Sequence, residues 1–367
     1  MKKLLFLLLA VAITVTMVFS VSATEAAESA YDKWVENAEP ITDYAFTVAF
    51  VGDTQKITEK NPEYLPKLYD WIVSIAEEKN LQFVAGMGDI TDNSTVEEWD
   101  VAVKSIAKLN GIVPYTMARG NHDYNNIFSL YMNKEEYTSQ LSGMYNDDVL
   151  NVYNEFTVGT LKYLVFVLDH GAGDGALNWA SEIIAAHPDH NVIITTHGYM
   201  LGDGQLITRE NSDVPPTRQG GQNDGPDIFE KLISKHENIV MVACGHITTC
   251  PELLCVEATG DNGNKIQQVL IDPSKLDMPD NGGPAGMVAL MYFSADGKLV
   301  QVENYSTAKG IHYGEGLTFT LNSVGGNALE NPFNPLPYVI AGAAALVVAG
   351  AIVMLIAAKK KKAVIAE

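Results

Sequence analysis

Apolar residues fall along this chain in two kinds of block. Some runs are apolar or β-branched almost throughout, at 45–52 (AFTVAFVG), 81–87, 112–118, 191–196 and 239–243, as expected of strands buried on both faces. Others repeat every three or four positions: Leu65, Leu68, Tyr69, Ile72 and Ile75 predict an amphipathic helix over 62–79. A second helix is predicted over 94–109, with Ser94 as N-cap and Glu97 three positions on, as a capping box requires. Strand and helix thus alternate from 45 to 118. That order predicts parallel strands joined by helical crossovers, with ligands bound beyond the carboxyl ends of the strands.

The middle of the chain predicts a helix over 128–141, a hairpin of 152–158 with 162–168, and a helix over 175–187. The stretch 202–226 is polar, rich in Gly, Asp and Pro, and too long for a plain connector, so it is expected to be a lid or substrate loop. A helix over 227–236 leads into the run at 239–243. Short strands at 253–258, 266–271, 286–293 and 299–305, separated by Asp, Gly and Asn, are expected to be antiparallel and to complete the same domain.

The two ends look different from this body. Met1-Lys2-Lys3, an uncharged run and Val21-Ser22-Ala23 predict a signal peptide over 1–23. A polar lead-in follows over 24–40, with one helical turn around Trp34, and the folded domain is expected over 41–308. The Gly/Asn/Pro-rich 309–337 reads as a linker. Residues 338–358 carry no charge and, at about 1.5 Å per helical residue, span a hydrocarbon core of about 30 Å. Lys359 to Lys362 follow at once, so 359–367 is expected to be a cytoplasmic tail, with the body held on the extracytoplasmic side of the cell membrane by a single span.

Composition adds limits. With 47% apolar residues the chain can bury a sizeable core, and a net charge of −21 argues against binding nucleic-acid backbones. In an exported body Cys250 and Cys255 can close a small loop, leaving Cys244 as a buried thiol.

The candidate chemistry gathers where apolar runs end. Arg119-Gly120-Asn121-His122-Asp123 follows 112–118, and other runs end in Gly52-Asp53-Thr54-Gln55, Gly88-Asp89, Thr196-His197-Gly198 and Gly245-His246. Asp53, Asp89, Asn121, His197 and His246 supply two carboxylates, one amide and two imidazoles. This mixture suits a pair of divalent ions bridged by a carboxylate. No G-x-S-x-G nucleophile motif occurs in the exported part. Arg119 either contacts a phosphate or pairs with a carboxylate. His170 is a lesser candidate facing the cleft, and Tyr199, Asp203 and Asp224 are candidates for specificity. His187, His190 and His236 are expected at helix ends or in solvent, and Asp92 and Asn93 are expected to bond locally.

In their order, these motifs resemble the calcineurin-like metallophosphoesterases, from Asp53 to about Tyr305. The resemblance implies an α/β fold, a two-sheet β-sandwich flanked by helices, and two divalent metal ions (Mn, Fe, Zn or Mg). It implies that Asp89 bridges the metals, that Asn121, His197 and His246 complete one site, and that Asp53 belongs to the other. His122, oriented by Asp123, would protonate the leaving oxygen of a phosphate-ester substrate. Gln55 and Thr248 stand where the family has two further histidines, both for the metal held by Asp53. That site then keeps oxygen donors, including the Gln55 carbonyl, and is expected to favour Mg²⁺, Mn²⁺ or Ca²⁺. The resulting expectation is a membrane-anchored phosphoesterase acting on a phosphate mono- or diester through metal-bound hydroxide. Its rival is a surface binding protein that kept the fold and lost turnover.

Overall fold

The computed structural model describes residues 33–248, 253–274 and 286–330. The expected signal peptide, membrane span and cytoplasmic tail lie outside them. Among the described residues no helix is long and apolar enough to cross a membrane.

In chain order the strands of the first half are β1 (Trp34–Val35), β2 (Phe46–Val51), β3 (Leu81–Gly86), β4 (Tyr115–Met117), β5 (Gly143–Tyr145), β6 (Asp148–Val158) and β7 (Leu161–Val167). Those of the second half are β8 (Asn191–Thr196), β9 (Ile239–Cys244), β10 (Leu254–Thr259), β11 (Lys265–Leu270), β12 (Met287–Phe293), β13 (Leu299–Ser306), β14 (Ile311–Tyr313) and β15 (Leu317–Thr320). The α-helices are α1 (Gln55–Lys60), α2 (Leu65–Ile75), α3 (Val96–Ile106), α4 (Asn125–Met132), α5 (Glu135–Thr138), α6 (Asp174–Ala186) and α7 (Gly225–Lys231).

The strands form two mixed sheets. In the first, β2, β3 and β4 are parallel, and β12, β13, β14 and β1 continue antiparallel beyond β2, with β15 also on β13. In the second, β7, β8, β9 and β11 are parallel, flanked by antiparallel β6 and β5 on one side and β10 on the other.

Continuous apolar runs form strands here because both faces of each sheet are covered. Along β2, Phe46, Val48 and Phe50 pack with Phe83, Tyr163, Ile193 and Met241 between the sheets. Ala49 and Val51, on the opposite face, pack with Leu68, Ile72, Trp99 and Ile106 of α2 and α3. The second sheet repeats this: Val192 and Ile194 of β8 pack with Leu177, Ile184 and Ile228 of α6 and α7. The layers are therefore helix, sheet, sheet, helix, and the four central parallel strand ends, those of β2, β3, β8 and β9, open toward one edge.

Several local expectations are corrected. The helix predicted from 94 is capped by Thr95, with Glu98 completing the capping box. Ser94 sits at φ +51, and its hydroxyl serves the loop of His122 instead. The predicted helix over 128–141 breaks into α4 and α5 at Asn133. The lead-in around Trp34 is a strand, paired with β14, rather than a helical turn. β11 pairs antiparallel with β10, as expected of the late strands, but also runs parallel to β9. Cys244 is the buried thiol expected, while Cys255 is also free and Cys250 lies outside the described residues.

The linker expected from 309 also begins later. β14 and β15 are hydrogen-bonded to β13, and the compact body runs to Ala328. Buried Asn191 explains the docking: its Oδ1 accepts from Val324 N at 2.7 Å and Ser323 Oγ at 3.0 Å, and its Nδ2 donates to the Val324 carbonyl. Asn191→Ala is expected to cost about 2 kcal/mol in urea unfolding and to remove amide-exchange protection at Val324 and nearby residues. Unchanged protection there would mean that Asn191 does not hold this segment.

Candidate metal centre

The candidate residues are delivered by strand ends. Asp53 follows β2, Asp89 follows β3, Asn121 and His122 follow β4, His197 follows β8 and His246 follows β9. The structure brings Asp89, Asn121, His197 and His246 to one point. His197 Nε2 lies 3.2 Å from Asp89 Oδ2, 3.1 Å from Asn121 Oδ1 and 3.1 Å from His246 Nδ1.

Hydrogen-bond accounting makes this arrangement unusual. His197 Nδ1 faces the Met87 carbonyl at 2.9 Å, so it carries a proton and donates, and in the neutral ring Nε2 is left bare. His246 Nε2 faces the Val214 carbonyl at 2.8 Å, so Nδ1 is its bare nitrogen. Two bare nitrogens, a carboxylate oxygen and an amide oxygen then face one another, all electron-pair donors. A divalent cation satisfies all four, and outer hydrogen bonds of this type set the tautomers of metal-binding histidines.

The electrostatics separate the two imidazoles: they favour the neutral ring at His246, and at His197 they favour the proton that a bound cation would displace. Burial pushes the His246 imidazole down to about 4, with His197 adding to the fall, so it is neutral and ready to ligate. Burial would also lower His197, but the Asp89 carboxylate beside it holds it above its ordinary value. Burial would raise the Asp89 carboxyl, but the contact with His197 overrides this and keeps it ionised.

The backbone is strained where it delivers these groups. Asp89 has φ +46 and His246 φ +74, left-handed conformations that cost non-glycine residues about 1–3 kcal/mol and cluster at functional sites. Glycines allow the close approach. A Cβ on Gly120 would lie 2.0 Å from Asp89 Oδ1, and one on Gly245 would lie 2.3 Å from Asp53 Oδ1.

Asp53 lies beside the cluster, with Oδ2 accepting from His246 N at 3.1 Å and Oδ1 3.9 Å from His197 Nδ1. Gln55, at the start of α1, points its Nε2 at Asp89 Oδ2, 3.1 Å away. A carboxylate that sequence reasoning missed, Asp272, lies within hydrogen-bonding reach of Asp53. Burial, and then Asp272 and Asp89, hold the Asp53 carboxyl well above its ordinary value. Asp272 carries a signal of the same kind as the other sites, an acidic residue just after an apolar strand. The parallel pairing with β9 that brings its end to the site is not written in the local pattern.

His122 is half-exposed at the mouth. Its partner differs from the one expected: Nδ1 donates to the Asp92 carbonyl at 2.6 Å, with Asp92 Oδ1 at 3.7 Å. Asp92 is itself held by Lys56 Nζ at 2.6 Å. Asp123 is fully buried and accepts instead from the N–H groups of Ile90, Thr91 and Gly120 and from the Thr91 hydroxyl. It ties the Asp89 loop to the Asn121 loop. Burial pushes its carboxyl up to about 6, with Asp89 adding to the rise and the amide donors opposing it.

Arg119 pairs with Asp169 at 2.6 Å and donates to the carbonyls of Gly120 and Asp123, so the carboxylate-paired alternative holds. It lines a cavity of about 490 Å³ with Asn121, Tyr124, Asn125, Gln219 and Gly220. His170 is buried, its ring centre 5.2 Å from that of His197 and 5.3 Å from that of His246. His187, His190 and His236 bond to the Ile183 carbonyl, to Asp189 with Glu155, and to Ser181. The three specificity candidates have structural duties: Tyr199 is buried on Gln268, Asp203 holds Gln205, and Asp224 caps α7.

A family model described as calcineurin-like phosphoesterase matches residues 46–250. The uncharacterized protein YvnB of Bacillus subtilis is 24% identical over 295 residues, covering 76% of this chain and 21% of that protein. A probable glycerophosphodiester phosphodiesterase of Arcobacter nitrofigilis, GpdQ, is 26% identical over 181 residues, covering 49% of this chain and 62% of that protein. The chain thus spans less than two thirds of the length of either relative. Among solved structures, a dimetal phosphatase from Danio rerio aligns with a TM-score of 0.48 and 16% identity over 76% of this chain and 99% of that one.

Asp123→Ala is expected to cost about 3 kcal/mol in urea unfolding, because three buried N–H groups lose a charged acceptor. If Asp123 served only to orient His122, stability would hardly change.

Proposed function

The chain belongs to the calcineurin-like phosphoesterase family, and from that membership we propose that it is a metal-dependent phosphoesterase hydrolysing a phosphate mono- or diester. The observation that carries this reading is the convergence of bare donor atoms on His197 Nε2. Similarity to the probable glycerophosphodiester phosphodiesterase of Arcobacter nitrofigilis favours a diester.

Bound divalent metal lowers the pKa of water toward 7 and polarises phosphoryl oxygens. The chain's own residues do the rest. Asp89, Asn121, His197 and His246 would hold one metal, and Asp53 with Gln55 would serve the second. With Nδ1 committed to the Asp92 carbonyl, His122 has Nε2 free to carry a proton to the leaving oxygen. The Ser94 hydroxyl, donating to the His122 carbonyl and accepting from Tyr124 N, fixes that loop. Arg119, tied to Asp169 and to two carbonyls of the same loop, positions Asn121.

The body is proposed to be exported and anchored. The leader at 1–23, the uncharged 338–358 and the lysines at 359–362 support that placement, with the site outside the membrane.

The contact of Gln55 Nε2 with Asp89 favours a second reading, a binding protein in which an amide has replaced a metal. Substituting His122 separates the two. With the full chain in detergent and Mn²⁺ supplied, His122→Ala is expected to lower hydrolysis of chromogenic mono- or diesters about 10²–10⁴-fold with metal content unchanged. No hydrolysis by the wild-type chain under any divalent metal would favour the binding protein.

A further inference from the structure

The two-metal reading leaves the Asp53 site short of donors, since Gln55 and Thr248 stand where imidazoles are expected. The fold offers a replacement. β11 is in register with β9, Leu270 opposite Cys244, and Ile271 N donates to the Cys244 carbonyl. The residue after Ile271 therefore leaves the sheet beside Gly245 and His246.

That residue is Asp272, only 2% exposed. Its Oδ1 accepts from Ser274 N at 3.1 Å, and among the described residues its Oδ2 has no hydrogen-bond donor, the Asp53 carboxyl lying within reach of the Asp272 side chain. The Asp53 turn packs directly on this segment: a Cβ on Gly52 would lie 2.7 Å from Pro273 Cδ and 3.0 Å from the Ile271 carbonyl. Asp53 Oδ1 likewise has no hydrogen-bond donor among the described residues.

Carboxylates close together do not by themselves make a site. Gln55 adds an independent observation. It is 5% exposed, its amide is aimed at Asp89 Oδ2, and its Oε1 has no partner among the described residues. Turning the amide over exchanges Nε2 for Oε1 and presents an oxygen beside Asp89 Oδ2. Buried acceptors left without donors are costly, and a hard cation relieves several at once.

We propose that Asp272 is a ligand of the second metal, taking the place of the imidazole that Thr248 lacks, in an oxygen-only site with Asp53, Asp89 and Gln55 Oε1. This rests on the two-metal reading and adds to it a residue and a selectivity. Oxygen donors favour Mn²⁺, Mg²⁺ or Ca²⁺ over Zn²⁺, whereas the His197–His246 site accepts the softer ions.

The test is Mn²⁺ titration of the chelator-stripped full chain, read by calorimetry and by the loss of the free-Mn²⁺ spin-resonance signal. Wild type is expected to take up two ions, one tight and one weaker. Asp272→Asn, which keeps the shape, should retain the tight ion and weaken the other about a hundredfold or more. Adding Thr248→His to that variant should restore the second ion, now with Zn²⁺ preferred. This double variant carries the test even if the single one folds poorly. A wild type that binds one ion overturns the two-metal reading itself. A wild type and an Asp272→Asn variant that both bind two ions with equal affinity leave that reading standing and overturn the role of Asp272.

Discussion

Electron pairs that face one another without a proton between them repel, and a cation among them relieves the repulsion. Here the Met87 and Val214 carbonyls dictate the tautomers of His197 and His246, so their bare nitrogens meet the Asp89 and Asn121 oxygens about 3 Å apart. The rest of the body serves this constraint. Parallel strands β2, β3, β8 and β9 end at one edge, glycines at 120 and 245 remove the side chains that would block the approach, and left-handed Asp89 and His246 turn their groups inward.

Holding such a centre requires rigid loops, and buried charge supplies the rigidity. Asp123 spans the Asp89 and Asn121 loops through their backbone N–H groups, while Arg119 fastens the second loop to Asp169. The residues nearest the chemistry are thus separated by duty: Asp123 stabilises the loops, and Asp92, held by Lys56, orients His122. The strained residues are retained because many hydrogen bonds determine them at once.

Much of this was legible in the chain itself. The apolar runs that became β2, β3, β8 and β9 lacked alternation because both sheet faces are covered, and each ended in a residue with ligand chemistry. What was hidden depended on pairing and on loop torsions. No local pattern says whether 266–271 pairs parallel or antiparallel, and that choice decides whether Asp272 reaches the site. Ser94 and Thr95 are both good caps by composition, but the positive φ of Ser94 turns it to the His122 loop. Asp123 follows His122 in sequence, yet adjacent side chains on a tight loop point apart, so the imidazole finds Asp92 instead. The Gly/Asn-rich stretch after Lys309 looked like a linker because its binding partner, Asn191, is distant in sequence.

A metal at the point where these donors meet would satisfy all of them at once. Anomalous X-ray scattering from crystals of the protein grown with Mn²⁺ is the direct test. The expected map has a peak about 2 Å from His197 Nε2 and His246 Nδ1, with the Asp89 and Asn121 oxygens completing its coordination. A map without that peak, with His197 Nε2 still hydrogen-bonded to Asn121 and Asp89, would contradict it.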